Sequence, residues 1–333
     1  MTTDHLAPVY AQWPLDVRAR AATRLARFAG LGLGTVFFIN TGAEANENAL
    51  KLALRLTGRR KVVAIEGSFH GRTAAAGAVT WGAAQKWYGF PQMPFDVEFI
   101  PRGDLEAIVR VVGSDTAAVI AEPVQGVAGA VDLGQEFLAA LRARCTETCA
   151  MLILDEVQCG MGRTGFPFAA SMHGIAPDML TTAKALGAGF PCAALLMADH
   201  VAAHLRTDDL GTTFGGGPMA CALIEAVIDI IESEGLLDRV TKLGEYLGGK
   251  LEELAREFPG HVTGTRGRGL LRGVAVSGTP SAVTTRCREK GMLVSVAGSN
   301  VIRFAPPYIV DHAHLDEAVS ILRSVLAEGA GKA

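Results

Sequence analysis

The sequence predicts an α/β protein in two parts: a large domain over 1–235, with a mostly parallel sheet flanked by helices, and a smaller carboxyl-terminal α/β domain over 236–333. Three observations carry this. Short β-rich runs alternate with helical patterns through the first two thirds of the chain, as parallel strands joined by crossover helices do. The runs are largely continuous in apolar residues, as in strands covered on both faces. Segments bearing chemically capable side chains follow the runs directly, where ligands gather at the carboxyl ends of parallel strands. A chain of 333 residues is long enough for one large domain plus a smaller one.

Taken in order, Gly30-Leu31-Gly32-Leu33-Gly34 has the composition of a dinucleotide fingerprint but precedes a strand instead of leading from one into a helix. It reads as a connector and argues against a nicotinamide cofactor. Strands are expected at Val36-Phe37-Phe38-Ile39, Lys61-Val62-Val63-Ala64-Ile65, Val97-Glu98-Phe99-Ile100, Ala117-Ala118-Val119-Ile120 and Met151-Leu152-Ile153-Leu154, with helical segments between most of them. From about Pro218 a helical pattern runs through Ile231, pauses near Gly235 and resumes to about Phe258. The smaller unit beyond it has expected strands near 269–274, 292–296 and 301–304 and a closing amphipathic helix over 312–326.

Composition narrows the function. Net charge is -3, without a long basic block, so bulk electrostatics recruits neither nucleic acid nor an anionic membrane. No stretch approaches the roughly 18 consecutive apolar residues of a membrane span. Met1-Thr2-Thr3-Asp4-His5 lacks the basic start and apolar core of a signal peptide, so a cytoplasmic protein is expected. The six cysteines form neither a disulfide framework nor a CxxC pair. Cys145 and Cys149 have no nearby histidine to complete a ligand set, and no metal is expected. Charged residues at 20% fit a chain that buries much of its surface, as an oligomer does.

The most telling side chain is Lys184, in Thr181-Thr182-Ala183-Lys184-Ala185-Leu186-Gly187-Ala188-Gly189, downstream of an apolar run ending in Asp155-Glu156. An amine among small and apolar residues is expected to be poorly solvated, which favours the neutral, nucleophilic form. Such a lysine suits a Schiff base, and such an aspartate suits a protonated pyridine nitrogen. Pyridoxal phosphate needs both. Asn40-Thr41-Gly42-Ala43-Glu44 leaves a strand and opens a helix, whose unpaired N–H groups bind phosphate while Gly42 and Ala43 leave room. In Ser68-Phe69-His70-Gly71-Arg72-Thr73, Phe69 could lie over a flat ring and Arg72 could hold a carboxylate through two hydrogen bonds. Gln158 offers an amide for a phenolic oxygen, and Thr212-Thr213-Phe214-Gly215-Gly216-Gly217 offers further phosphate donors. Taken alone, each has an ordinary reading: a solvated lysine after a strand, an aspartate at a turn, a core phenylalanine, a surface arginine, a glycine before a helix.

The ordered set Asn-Thr-Gly-Ala-Glu-Ala-Asn-Glu, Ser-Phe-His-Gly-Arg-Thr, Glu-Pro-Val-Gln-Gly, Leu-Asp-Glu-Val-Gln-Cys-Gly-Met-Gly-Arg-Thr-Gly, Ala-Lys-Ala-Leu-Gly and Thr-Thr-Phe-Gly-Gly resembles the class III aminotransferases of pyridoxal-phosphate fold type I. It is most similar to their acetylornithine and ornithine branch, from about His5 to Leu326. The resemblance implies that Lys184 carries the cofactor and shuttles the substrate proton, and that Asp155 pairs with the pyridinium nitrogen. It also implies that Gly42 and Ala43 bind the phosphate, that Phe69 stacks on the ring, and that Gln158 touches the phenolic oxygen. His70, Glu156 and Val157 belong to the same cofactor site. Thr213 would reach the phosphate of the partner subunit, so the active site lies at a homodimer interface. Arg72 and Thr212 would contact the substrate, and Arg303 would grip an α-carboxylate.

Two departures bear on specificity. After Glu122-Pro123-Val124-Gln125-Gly126 the family usually has a glutamate that pairs with the arginine matching Arg303; this chain has Val127. The expectation is that Arg303 stays available in both half-reactions, favouring substrates that present a carboxylate to it. Family members also usually carry several dozen residues before the segment resembling His5-Leu6-Ala7-Pro8-Val9-Tyr10. Either the start lies further upstream or this is a shortened relative whose small domain is mainly the carboxyl-terminal unit. The leading reading is transamination between N-acetylornithine, or a similar basic amino acid, and 2-oxoglutarate, in arginine biosynthesis. The alternatives are another class III specificity (ornithine, 4-aminobutyrate or an amine of secondary metabolism) and a truncated, non-catalytic, cofactor-binding paralogue.

Overall fold

The computed structural model describes residues 15–329; the leader reading at residues 1–5 and the start of the resemblance at 5–10 lie outside the described residues. The strands are β1 (Thr35–Ile39), β2 (Lys61–Ile65), β3 (Asp96–Ile100), β4 (Thr116–Ala121), β5 (Val124–Gln125), β6 (Val131–Asp132), β7 (Met151–Asp155), β8 (Met179–Thr182), β9 (Ala193–Met197), β10 (Val262–Arg268), β11 (Leu271–Val276), β12 (Ser295–Ala297) and β13 (Val301–Phe304). The chain separates into two compact units. One holds the described residues up to Pro123, with Leu133–Met161 and Phe168–Ser233; the other holds Val124–Asp132, Gly162–Pro167 and the residues from Glu234 on.

The first unit is built on a seven-stranded sheet in the order β1-β9-β8-β7-β4-β2-β3. β3, β2, β4, β7 and β8 are mutually parallel, whereas β9 runs antiparallel to both β8 and β1. The expected strands are present and the sheet is mostly parallel, with β9 as its reversed member. The segment 183–192 between β8 and β9 explains the reversal, being shorter than the dozen or so residues that a parallel crossover needs. All six residues of β4 are buried, and in β7 only Met151 is partly open, so the continuous apolar runs mark strands covered on both faces.

The helix Gly42–Thr57 packs on this sheet through Ala45, Ala49, Leu50, Leu52 and Ala53. A capping box starts it: Thr41 Oγ1 accepts from the Glu44 amide, and Glu44 Oε2 accepts from the Thr41 amide. Gly58, left-handed at φ 68°, ends it.

In the second unit an antiparallel sheet of order β10-β11-β13-β12 packs with the helices Leu236–Glu257, Pro280–Glu289 and His312–Ala327. Its core includes Leu247, Leu251, Val274, Ile302, Phe304 and Leu322. Gly235, left-handed at φ 60°, separates the two long helices that the sequence pattern shows as one interrupted run. The segments 124–132 and 162–167, which the sequence boundary at 235 leaves in the large domain, group with this unit. They do so because β6 lies against β10 and Arg163 Nη1 donates to the Leu270 and Pro306 carbonyls at 3.3 and 2.6 Å. No described helix is long and apolar enough to cross a membrane.

Candidate active site

β1 and β8 share a direction because each pairs antiparallel with β9, so the carboxyl ends of β1, β2, β4, β7 and β8 lie along one edge of the sheet. The segments leaving that edge carry Gly42 and Ala43, Phe69 and His70, Glu122, Asp155 to Gln158, and Lys184. Topology thus collects residues spread over more than a hundred positions of sequence.

At the end of β1, the capping box satisfies the Thr41 and Glu44 amides, and the Ala45 amide donates to the Thr41 carbonyl. The Gly42 and Ala43 amides have no acceptor among the described residues. They stand at the positive end of a 16-residue helix, an arrangement suited to an anion. Glycine is needed at 42 because a Cβ there would sit 2.7 Å from both Cγ atoms of Val157. Gly71, with φ 135°, lets the next loop close to within 2.7 Å of the Ala43 Cβ, measured from where its own Cβ would stand.

Asp155 ends β7 almost fully buried. Its Oδ2 accepts from His70 Nδ1 at 2.8 Å and from Asn46 Nδ2 at 2.7 Å, and its Oδ1 accepts from the Val157 amide at 2.9 Å. Burial makes the His70 contact consequential, since both partners are withdrawn from water. The neighbouring Glu156 points elsewhere: its oxygens accept from the Ala169 and Ala170 amides, both at 2.6 Å, and fix the start of the Ala169–His173 helix.

Across the sheet Asp155 is in register with Thr181, three residues before Lys184. Lys184 is left-handed, with φ 44°, a conformation that costs a non-glycine residue of order 1 kcal/mol and persists only where the surroundings impose it. The expected desolvation does not hold: the side chain of Lys184 is exposed. Its apolar neighbours Ala183 and Leu186 are buried.

Phe69 is half-buried, and its amide donates to Glu122 Oε1 at 2.8 Å. Arg72 is exposed, with its guanidinium 4.6 Å from the centre of the Trp87 ring. The same loop is tied down by Glu47, which accepts from Thr73 Oγ1 at 2.5 Å and from the Ala75 and Ala76 amides at 3.0 and 2.9 Å. Gln158 is half-buried after the Asp155 turn. Thr212 Oγ1 accepts from the Gly215 amide at 3.1 Å, and Thr213 beside it is exposed. Sequence reasoning missed Asn46, Glu47, Glu122, Trp87 and Thr181. Only Asn46 left a signal, as a polar residue on the otherwise apolar stripe of a helix.

In the second unit Arg303 lies on β13, its Nε donating to Ser295 Oγ at 3.2 Å and its Nη1 to the Gly126 carbonyl at 3.0 Å. Both acceptors are neutral oxygens, so these hydrogen bonds leave the charge of Arg303 unneutralised. Val127 is 42% exposed, and its carbonyl accepts from the Gly298 amide at 2.7 Å.

The chain is similar to known proteins over most of its length. Residues 9–326 match the family model for aminotransferase class-III. The acetylornithine aminotransferase of Methanothermobacter thermautotrophicus is 40% identical over 295 residues, covering 88% of this chain and 75% of the relative. A [LysW]-aminoadipate semialdehyde/glutamate semialdehyde transaminase of Sulfolobus acidocaldarius is 38% identical over 303 residues, covering 90% of this chain and 77% of the relative. Among solved structures, the ornithine aminotransferase of Toxoplasma gondii superposes with a TM-score of 0.89 at 29% identity, covering 98% of this chain and 80% of that one.

Proposed function

The chain belongs to the class-III aminotransferases, pyridoxal-phosphate-dependent enzymes, and from that premise we propose that it moves the amino group of N-acetylornithine, or a similar basic amino acid, to 2-oxoglutarate in arginine biosynthesis. The cofactor fits the residues present. Two orphan amides at the start of the Gly42–Thr57 helix suit its phosphate, buried Asp155 suits its ring nitrogen, and the exposed Lys184 amine is open to its aldehyde. The observation that carries the reading is that all three features stand along the carboxyl edge of one sheet.

When bound, pyridoxal phosphate supplies an electron sink that stabilises the carbanion left when a substrate carbon loses its proton. The chain's own residues do the rest. Gly42 and Ala43 would hold the phosphate, Phe69 and Gln158 would contact the ring and its phenolic oxygen, and Thr213 would reach the phosphate of a partner in a homodimer. Asp155, steadied by His70 and the Val157 amide, would pair with the protonated ring nitrogen. Glu156 holds the start of the Ala169–His173 helix through the Ala169 and Ala170 amides. Lys184 takes the proton from the substrate carbon at its Nζ and returns it, serving as base and acid in turn. Arg72 and Thr212 contact the amino-acid substrate, and Arg303 binds an α-carboxylate through its planar fork. The reaction runs as two half-reactions, the amino donor leaving as a carbonyl product before 2-oxoglutarate enters.

Val127 supports a second reading, in which the donor is another amine of this class, since the residue following the Gly126 carbonyl that accepts from Arg303 is valine and not a carboxylate. Adding candidate donors one at a time to the cofactor-loaded protein and following its visible absorbance separates the two. Fastest bleaching by N-acetylornithine is expected; faster bleaching by 4-aminobutyrate or by a simple amine would replace the proposal with the second reading.

A further inference from the structure

Asn46 is fully buried within the Gly42–Thr57 helix. Its Nδ2 donates to the His70 carbonyl and to Asp155 Oδ2, both at 2.7 Å, and its Oδ1 accepts from the Thr181 hydroxyl at 2.7 Å. Turning the amide over would set its oxygen against two other oxygens, so the neighbours fix its orientation. This one side chain joins the helix that presents Gly42 and Ala43, the strand that ends in Asp155, and the strand that leads to Lys184.

An ionised carboxylate offers about four acceptor positions. On Asp155, Oδ2 has two donors, Asn46 Nδ2 and His70 Nδ1, whereas Oδ1 has one, the Val157 amide. The position left over is on Oδ1. We propose that Asn46 is a positioning residue that decides which oxygen of Asp155 meets a protonated ring nitrogen, by filling Oδ2 and stopping the carboxylate from turning. The proposal rests on the reading of Asp155 as the partner of the cofactor's ring nitrogen.

Its chemical identity matters as much as its size. Leucine at 46 would fill similar space but leave Oδ2 with one donor and leave the His70 carbonyl and the Thr181 hydroxyl without this partner. Aspartate would set a second carboxylate against the first. A side chain needed only for packing would matter equally to every ligand of the pocket; one acting through Asp155 on a ring nitrogen matters only to ligands that have that nitrogen.

The test measures equilibrium binding of pyridoxal phosphate and of 1-deazapyridoxal phosphate, in which a C–H replaces the ring nitrogen, to the apoprotein and to its Asn46→Leu and Thr181→Val variants. Losing a hydrogen bond to a charged group predicts that Asn46→Leu weakens pyridoxal phosphate roughly 10- to 100-fold and the deaza analogue hardly at all. Thr181→Val, which frees the Asn46 carbonyl, gives a smaller loss with the same selectivity, and it carries the test alone if Asn46→Leu does not fold. Equal losses for both ligands, or no loss for either, overturn the proposal. Failure of the unaltered protein to bind pyridoxal phosphate is a separate result: it removes the functional reading and the proposal with it.

Discussion

Replacing Glu156 by glutamine should change how stability depends on pH, and the structure sets the size of the change. Glu156 is 1% exposed, and burial pushes its carboxyl up to about 7. The Ala170 and Ala169 amides and the Cys159 thiol pull it back down, while the charge of Asp155 adds to the rise. Taking the ordinary value of 4.5 for the unfolded chain, the folded protein binds the Glu156 proton more tightly than the unfolded chain between those two values. The stabilisation from this proton is therefore complete below pH 4.5 and is lost as pH rises through about 7. At 1.36 kcal/mol per unit the loss is about 3 kcal/mol.

Glu156→Gln has nothing to titrate at this position. Urea unfolding of both apoproteins, followed by tryptophan fluorescence from below pH 4.5 to above pH 7, should show the unaltered protein losing about 3 kcal/mol relative to the variant across that window. A difference between the two proteins that does not change with pH would refute the reasoning, whatever the variant's absolute stability.

Lys184→Gly should relieve the left-handed backbone at φ 44°, raising apoprotein stability by about 1 kcal/mol while abolishing transamination; paired urea melts and a donor assay check both halves. Gly42→Ala places a Cβ 2.7 Å from the Val157 methyls, so the helix start must shift, and titration with pyridoxal phosphate should show weakened binding with the apoprotein fold preserved by circular dichroism. Val127→Glu adds a carboxylate next to the carbonyl that Arg303 holds, and a donor panel should shift away from substrates that need Arg303 for their carboxylate.

The parallel part of the fold was legible because β4 and β7 are covered on both faces and so read as unbroken apolar runs. β10, in contrast, carries the sequence Val-Thr-Gly-Thr-Arg-Gly-Arg, and its glycines and arginines hide a strand whose place comes from pairing with β11 and lying against β6. At the site, Asp155 and the Gly42-Ala43 pair were legible because strand-end acids and helix-start glycines have local signatures. Glu122, Trp87 and Thr181 were not, because their roles come from neighbours distant in sequence: Glu122 reaches the Phe69 amide 53 residues away, and Thr181 reaches Asn46 135 residues away. The exposure of Lys184 is not legible in the sequence for a related reason. Small neighbours in sequence say nothing about which way the amine points once the backbone turns left-handed.

The central claim is that Lys184 is the residue through which this chain holds and uses pyridoxal phosphate. Borohydride reduction of the cofactor-loaded protein, followed by proteolysis and mass spectrometry, tests it most directly. The peptide containing Lys184 should carry the phosphopyridoxyl group in near-stoichiometric amount; its appearance on a different lysine, or on none, would contradict the claim.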